Sequence, residues 1–291
     1  MEYTLHGKVA VITGANQGLG VEIARHFLKA GANLALCARN EQLLEEVGKS
    51  LTASALPNQK VLCLGADVSL ESDVNNFISN TLKEFGSIDI LVNNAGIYGP
   101  KGEIESVDWS DWVKSIEINL FGSILMCRSV LPCFKKQGHG KIIQLSGGGA
   151  TSPMPNISGY AVSKAAIVRF IETLAEEVRD SKIDVNAIAP GALNTRLLDE
   201  IIKAGPDKVG KAFYENSLIQ KKNGGSSFDA GTSLALFLAS EHSNGITGKL
   251  ISALWDDWTS WPHYLKELNE SDIYTLRRIT GKERGMNWGD K

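Results

Sequence analysis

The sequence lacks the patterns that mark several specialised classes of protein. It holds 30 basic and 33 acidic residues, a formal net charge of -3, so it has no basic excess for a phosphate backbone and we expect no nucleic-acid partner. Its apolar runs are too short to span a bilayer, so no membrane contact is expected. Its beginning contains Glu2 and His6 instead of the apolar core of a secretion signal. These absences favour a cytoplasmic protein.

Cysteine is also scarce. Only 4 cysteines occur among 291 residues, and none of them forms a CxxC pair. Cys37 and Cys63 lie in apolar runs typical of buried strands, where cysteine behaves as a small hydrophobic residue. This usage favours a reduced, intracellular protein, and we predict neither a disulfide framework nor a metal site.

The sequence does contain a regular alternation of short apolar runs and amphipathic segments. Amphipathic windows such as residues 19–30, 41–51 and 72–85 predict helices between the runs. Continuous apolar strands that alternate with helices indicate an α/β fold, with a doubly wound parallel sheet covered by helices on both faces. We predict seven strands, at residues 8–13, 33–37, 60–65, 89–92, 141–145, 183–188 and 249–253.

A glycine-rich turn follows the first predicted strand. Gly14, Gly18 and Gly20 lie in the stretch TGANQGLG, directly before an amphipathic segment. Such a turn lets the backbone approach a pyrophosphate, and the following helix N-terminus supplies free N–H donors and a partial positive charge. The spacing is GxxxGxG and not the usual GxGxxG, and a glycine-lined packing turn is the alternative interpretation.

Tyr160 and Lys164 stand four residues apart at the start of a predicted helix, so their side chains share one face. A nearby ammonium favours the phenolate, so Lys164 is expected to lower the pKa of Tyr160. Tyr160 would then act as a general acid in a reduction and as a general base in an oxidation. The alternative is a pair of ordinary surface residues, which often show this spacing.

Together these motifs resemble the single-domain branch of the short-chain dehydrogenase/reductase family. The resemblance runs over residues 7–248 and includes Asp67-Val68, the stretch 93–96, Asn119 and the stretch 190–195, each after a predicted strand or on the next helix. It implies one Rossmann-type catalytic domain over residues 1–253, with an extension at 254–291. It also implies a nicotinamide cofactor and hydride transfer between that cofactor and a carbonyl or secondary alcohol.

The resemblance assigns roles to individual residues. Asp67 would accept from the adenine amino group, Lys164 would hold the nicotinamide ribose, and Thr195 would hold the carboxamide. Asn119 would kink its helix, so that its backbone holds a water in a proton relay to Lys164, and Asn94 would brace the site. Capping of a helix or turn is the alternative for Asp67. The predicted catalytic residues are Tyr160, Lys164, Asn119 and Ser146, and the predicted cofactor-binding residues are Gly14, Asn16, Gln17, Gly18, Leu19, Gly20, Arg39, Asp67, Val68, Asn93, Ala95, Gly96, Tyr160, Lys164, Pro190, Gly191, Leu193 and Thr195.

The end of the second strand favours NADP over NAD. Position 38 is Ala, so the carboxylate that would hold the ribose 2′-hydroxyl is absent. Arg39 follows, and a guanidinium suits a phosphate through its charge and its bidentate geometry. Stacking of Arg39 on adenine, or exposure to solvent, is the alternative.

The sequence departs from the family pattern after the fifth strand. Counting back from Tyr160 puts Gly147 where the family usually has a catalytic Ser, and Ser146 lies one residue too early. Neighbouring strand residues point to opposite faces, but the glycines at 147–149 could re-aim Ser146 through a bulge or turn. Ser146 is therefore the predicted donor, with Thr151 and Ser152 as outside candidates.

Two further segments lie outside the regular alternation. Residues 192–229 leave the carboxyl end of a strand and predict a substrate lid, with a flexible hinge at 221–227. The extension carries Trp255, Trp258 and Trp261 beside Asp256 and Asp257, which would suit a polyhydroxylated ligand; packing on its own subunit or on a partner is the preferred alternative. Residues 272–279 predict a helix.

We therefore predict an NADP(H)-dependent oxidoreductase for a small carbonyl or alcohol, with a sugar-derived substrate as the hypothesis. A 3-oxoacyl reductase is the alternative, and an NADP-binding regulator that has lost its chemistry is the alternative of another class. Apolar stripes on the helices at 116–130 and 161–178 match the helices that pair subunits in the family. They predict a homodimer or homotetramer.

Overall fold

A sheet of seven parallel strands lies at the centre of the computed structural model, which describes residues 3–288. This confirms the predicted α/β class. The strand order β3-β2-β1-β4-β5-β6-β7 is that of a doubly wound fold. The strands are β1 (Val9–Thr13), β2 (Asn33–Ala38), β3 (Val61–Gly65), β4 (Ile90–Asn93), β5 (Gly140–Leu145), β6 (Ile183–Ala189) and β7 (Leu250–Ser252).

Helices cover both faces of this sheet, because strand residues alternate between the faces. Along β1, Ala10 and Ile12 join one apolar cluster while Val11 joins the other. The helices are α1 (Gly18–Lys29), α2 (Glu41–Ser54), α3 (Glu71–Phe85), α4 (Trp109–Ile116), α5 (Gly122–Gln137), α6 (Ser158–Glu177), α7 (Arg196–Ala204), α8 (Pro206–Val209), α9 (Lys211–Asn223), α10 (Phe228–Ala239) and α11 (Leu265–Glu270). Helices α1, α2 and α10 form one layer, and α3, α5 and α6 form the other.

The strand order reverses direction between β1 and β4, which are hydrogen-bonded neighbours. β2 and β3 extend to one side of β1, and β5 to β7 extend to the other side of β4. The connections that leave the two central strands therefore diverge and open a crevice at their carboxyl ends. This is the place where open α/β sheets bind ligands.

A long helical run changes its hydrogen-bond pattern near the middle. α4 passes into a π-helical segment, Glu117–Phe121, before α5 begins. The run Trp109–Gln137 is long and apolar enough to cross a membrane by length and composition alone. In this fold Met126, Val130 and Phe134 of the run are buried against the sheet, which accounts for much of its apolar character.

The predicted lid segment, residues 192–229, folds as three helices, α7 to α9. Gly224 and Gly225 follow α9 with φ of 90° and 65°, values that glycine adopts readily. Lys101, in the connection after β4, forms an ion pair of 2.8 Å with Glu200 on α7. The lid segment is thus tied to the other side of the crevice.

The C-terminal extension packs back onto its own chain through its tryptophans. Trp261 is only 4% exposed, and its ring centroid lies 4.4 Å from that of Tyr274. The ring of Trp258 lies 5.2 Å from that of Phe237 on α10. Trp255, in contrast, is 86% exposed. The three tryptophans therefore do not form a common platform, and the preferred interpretation of packing on the chain itself describes two of them.

The helix predicted at residues 272–279 is wrong. That segment forms turns and irregular chain, because its backbone bonds to neighbouring elements. The N–H of Leu250 in β7 donates to the carbonyl of Tyr274 at 2.8 Å, and the N–H of Leu276 donates to the Glu172 carboxylate. Lys249 donates to the carbonyl of Ile273 at 3.0 Å. These tertiary partners take the groups that a helix would have paired internally.

The tail packing predicts different stabilities for two tryptophan variants. Trp261→Ala should lower the free energy of unfolding by about 3–5 kcal/mol, the usual cost of deleting a buried aromatic side chain. Trp255→Ala is the matched control and should change it by less than about 0.5 kcal/mol, because that side chain is exposed. Urea unfolding followed by circular dichroism measures both. Equal, small changes in the two variants would contradict the buried position of Trp261.

Candidate active site

A cavity of about 790 Å³ opens at the carboxyl ends of the central strands. It runs from the end of β2 and β3, past the glycine turn, to the lid segment. Most of the predicted site residues line it; Gly20, Asn93 and Asn119 do not. The side chain of Asn93 is buried and donates to the carbonyl of Ser123 at 3.2 Å. The side chain of Asn93 therefore lies in the core, and only the backbone of Asn93 could make the predicted contact with the cofactor.

The glycine turn allows two backbones to approach each other closely. Gly14 has a φ of 62°, and a Cβ there would lie 2.9 Å from the Cα of Ala95. A Cβ on Gly20 would lie 2.6 Å from the carbonyl oxygen of Gly14. Neither position accepts a side chain without movement. The two glycines therefore bring the turn after β1 against the chain after β4.

Asn94 holds this arrangement through its side-chain amide. Its Nδ2 donates to the carbonyls of Thr13 and Gly14, each at 3.0 Å. The Thr13 hydroxyl in turn accepts from the backbone N–H groups of Asn94 and Ala95, each at 3.0 Å. This is the bracing role that the sequence predicted for Asn94.

The N-terminus of α1 faces the cavity and has the features of an anion site. Gln17 occupies the cap position without a side-chain hydrogen bond to the helix, and the first turn holds no acidic residue. Its first N–H groups therefore have no capping side chain, and the helix end is partially positive. The close backbone packing and these donors together fit the pyrophosphate of a dinucleotide.

Asp67 and Arg39 lie at the far end of the cavity. One oxygen of Asp67 accepts from the Ser69 N–H at 3.0 Å and from the Ser69 hydroxyl at 2.6 Å. Asp67 thus caps the turn that follows β3, which is the alternative role considered for it. The other oxygen lies 4.0 Å from the Arg39 guanidinium. Partial burial alone would raise the pKa of Asp67, but the bonds from Ser69 and the charges of Lys114 and Arg39 hold it below its usual value. Arg39 is about half exposed, so its guanidinium is accessible.

Tyr160 and Lys164 lie together on α6, buried at the middle of the cavity. The Lys164 ammonium lies 5.6 Å from the centre of the Tyr160 ring and donates to the carbonyl of Leu145 at 2.7 Å. Burial lowers the pKa of Lys164 to about 8. Burial, with a smaller contribution from Tyr98, raises the pKa of Tyr160. Burial thus dominates the pKa of Tyr160 in this arrangement, and a lowering of that pKa by Lys164 stays a prediction.

Asn119 lies within the π-helical segment and is completely buried. Its Oδ1 accepts from the Ile97 N–H and its Nδ2 donates to the Ile97 carbonyl, both at 2.8 Å. The Nδ2 also donates to the Ser163 hydroxyl at 3.0 Å. The side chain thus joins the distorted helix to the loop after β4 and to the catalytic helix. The predicted distortion of the helix coincides with Asn119; the water relay stays a prediction.

Gly147 leaves a space that the Tyr160 hydroxyl fills. A Cβ on Gly147 would lie 2.0 Å from that hydroxyl oxygen. The backbone of Gly147 is extended, and Ser146 before it lines the same cavity. The Ser146 hydroxyl is buried without a hydrogen-bond partner in the described structure. A 3₁₀ turn, Gly148–Ala150, follows Gly147 directly. Ser146 and Thr151 line the cavity and Ser152 does not, and the donor role of Ser146 stays a prediction.

The segment after β6 completes the middle of the cavity. Pro190, Gly191, Leu193 and Thr195 all line it. The methyl group of Thr195 would be 3.6 Å from a Cβ on Gly18, so it lies beside the N-terminus of α1. The predicted carboxamide contact of Thr195 is thus adjacent to the predicted pyrophosphate site.

Sequence reasoning missed the residues at the lid end of the cavity. Tyr98 comes from the loop after β4, Met154 from the loop after β5 and Phe213 from α9. Their spacing in the sequence follows no motif, and only the fold brings them together. Of these, Phe213 lies within the lid segment that the sequence did predict.

Comparisons with known proteins agree with this geometry. A family model described as short chain dehydrogenase matches residues 8–205. Dehydrogenase/reductase SDR family member 4 of Caenorhabditis elegans is 32% identical over 245 residues, which are 84% of this chain and 93% of that protein.

Two solved structures are similar over nearly their whole length. Levodione reductase superposes with a TM-score of 0.78 at 29% identity, covering 89% of this chain and 98% of that one. A gluconate 5-dehydrogenase from Burkholderia cenocepacia, in complex with NADP and tartrate, gives a TM-score of 0.76 at 26% identity, covering 86% and 95%. The protein is an oxidoreductase of alcohol and carbonyl groups that uses NAD(P), and the chain belongs to the short-chain dehydrogenase/reductase family.

Proposed function

We propose that the protein is an NADP(H)-dependent oxidoreductase that interconverts a small carbonyl compound and its secondary alcohol. The observation that carries this proposal is the position of Tyr160 and Lys164, buried in the cavity that the glycine turn opens. The anion-binding end of α1 and the accessible Arg39 guanidinium favour a dinucleotide that carries an extra phosphate. The gluconate 5-dehydrogenase structure, which contains NADP, is in line with this preference.

The nicotinamide of the bound cofactor supplies or accepts the hydride. The N-terminus of α1 and the turn at Gly14 would hold the pyrophosphate, and Arg39 would hold the 2′-phosphate. Lys164, whose ammonium has three donors and gives one to Leu145, would give another to the nicotinamide ribose. Tyr160 would exchange a proton with the substrate oxygen. Its raised pKa keeps the phenol protonated at neutral pH, which is the form needed to reduce a carbonyl.

The sugar-derived substrate is the second candidate. The gluconate 5-dehydrogenase structure with tartrate supports it. The tail supports it less, because Trp258 and Trp261 pack within the chain and the Asp256 carboxylate accepts from the Ser252 N–H at 2.7 Å. Of the three tryptophans only Trp255 lines the cavity. The 3-oxoacyl reductase and the regulator without chemistry remain alternatives, and Gly147 is the feature that favours the regulator.

We also propose that two or more copies associate through the exposed side of α5 and α6. Phe121 before α5 and Val162 on α6 are about half exposed, and Leu125 and Phe170 are partly buried beside the core. Such an apolar surface, across two adjacent helices, is typical of an interface. A monomeric mass by sedimentation at micromolar concentration would contradict this proposal.

The role of Tyr160 predicts a large loss in one conservative variant. Tyr160→Phe should lower kcat for an accepted carbonyl by about 10²–10⁴-fold, because it removes the transferred proton and leaves the ring. Oxidation of NADPH measures the rate, and fluorescence titration checks that NADPH still binds. Tyr264→Phe is the matched control, since Tyr264 lies exposed in the tail. Equal rates in wild type and Tyr160→Phe would contradict the proposal.

Gly147→Ser is the companion variant for the same hydroxyl. The new Cβ would begin 2.0 Å from the Tyr160 oxygen, so Tyr160 must move, and a misplacement of this size can cost about 10²-fold in rate. A higher kcat in Gly147→Ser would show instead that the wild-type site lacks a serine donor, which the variant supplies.

The cofactor preference depends on Arg39. Arg39→Ala should raise the Kd for NADPH about 10- to 100-fold, the range for a lost bond to a charged group, and should change the Kd for NADH by less than about threefold. Arg25→Ala, on the exposed side of α1, should leave both unchanged. Similar losses for the two cofactors would place Arg39 on the adenine and not on the phosphate.

A further inference from the structure

The wall of the cavity beyond Tyr160 is aromatic and apolar. The rings of Tyr98 and Tyr160 meet edge to face with centroids 4.6 Å apart. Met154 and Phe213 pack in the same cluster, and all four side chains line the cavity. The Met154 sulfur would lie 3.5 Å from a Cβ on Gly148, so it lies close to the end of β5. The wall beside Tyr160 therefore includes the rings of Tyr98 and Phe213 and the thioether of Met154.

The polar side chains at this end are paired among themselves. Gln220 of α9 donates to the carbonyl of Leu193 at 3.2 Å and to the Asn194 side chain at 3.3 Å. Arg196 forms an ion pair with Glu200 at 3.0 Å. Asp199 of α7 accepts from Lys221 at 2.7 Å. These contacts hold the lid segment together and engage two of the polar side chains that line the lid end of the cavity, Gln220 and Arg196.

An ion pair joins two of the elements at this end of the cavity. Lys101 and Glu200 are joined at 2.8 Å, and their side chains are only 15% and 28% exposed. Lys101 also lies 5.9 Å from the centre of the Tyr98 ring. The pair therefore joins α7 to the loop that carries Tyr98.

We infer that the substrate is an uncharged, apolar ketone with a ring next to its carbonyl group, or the matching secondary alcohol. This inference rests on the proposed function and names its substrate class. Flat rings at Tyr98 and Phe213 and the adaptable thioether of Met154 bind a ring by apolar contact. In the reduction, the hydride of NADPH goes to the carbonyl carbon, and the Tyr160 proton goes to the oxygen. The products are the alcohol and NADP⁺, and Tyr160 regains its proton from water.

A polyhydroxylated substrate would fit this wall poorly. Each of its hydroxyl groups would leave water and would need a partner to repay that cost. Among the described residues that line this end, Gln220 and Arg196 already have partners. The apolar ketone avoids this cost.

Binding without turnover tests the substrate class. The melting temperature of the protein saturated with NADPH is measured with 1-phenylethanol, cyclohexanol, xylitol or gluconate. These alcohols bind without turnover, because the reduced cofactor cannot oxidise them. We expect the first two to raise the melting temperature at about 10 mM and the last two to leave it unchanged. A rise with xylitol or gluconate, or no rise with either cyclic alcohol, would overturn the inference.

Turnover separates this inference from the proposed function. The wild-type protein should oxidise NADPH when acetophenone or cyclohexanone is added, and Tyr160→Phe should not. Binding of the cyclic alcohols without any Tyr160-dependent turnover would overturn the proposed function and keep the inference about the cavity. Turnover of the ketone forms of xylitol or gluconate with higher kcat/KM would keep the function and overturn the inference.

One substitution tests whether the apolar wall of the cavity contacts the substrate. Met154→Gln keeps the length of the side chain and adds an unpaired amide, so kcat/KM for acetophenone should fall about tenfold or more while the Kd for NADPH stays unchanged. Ile219→Gln, on the exposed side of α9 and outside the cavity, is the matched control and should leave kcat/KM unchanged. An unchanged kcat/KM in Met154→Gln would overturn the assignment of the wall to the substrate.

Discussion

The contact between the turn after β1 and the chain after β4 determines where everything else in this site lies. At Gly14 the two backbones are closer than a side chain permits, and the amide of Asn94 fixes them with two hydrogen bonds. β1 and β4 are also the strands between which the sheet changes direction. Thus one contact sets the width of the crevice and aims the N-terminus of α1 into it. The same contact also lies at the beginning of the loop that carries Tyr98.

The cofactor half of the site could be predicted from the sequence because its physics is local. A tight turn needs Gly14, Gly18 and Gly20 at fixed steps, and a shared helix face needs Tyr160 and Lys164 four residues apart. Each requirement therefore appears in the sequence as a fixed spacing between residues. The strands were equally readable, because a parallel strand buried on both faces is apolar throughout.

The substrate half could not be predicted in the same way. Tyr98, Met154 and Phe213 come from three separate connections, and their proximity depends on how the lid segment closes. The tail was misjudged for a related reason. Residues 272–279 have helical periodicity, yet the free edge of β7 and the carboxylate of Glu172 take their backbone groups. Tertiary partners thus override a weak local preference.

The C-terminal extension has a consequence for the solubility and handling of the protein. β7 is the last strand of the sheet, and an uncovered edge strand offers its backbone to other chains. Here the chain lays its own residues near Tyr274 against that edge and buries Trp261 below them. The extension therefore acts as a built-in shield against sheet-to-sheet aggregation. A shortened chain ending near residue 253 would keep every predicted catalytic residue and would leave the backbone groups at the edge of β7 open to other chains.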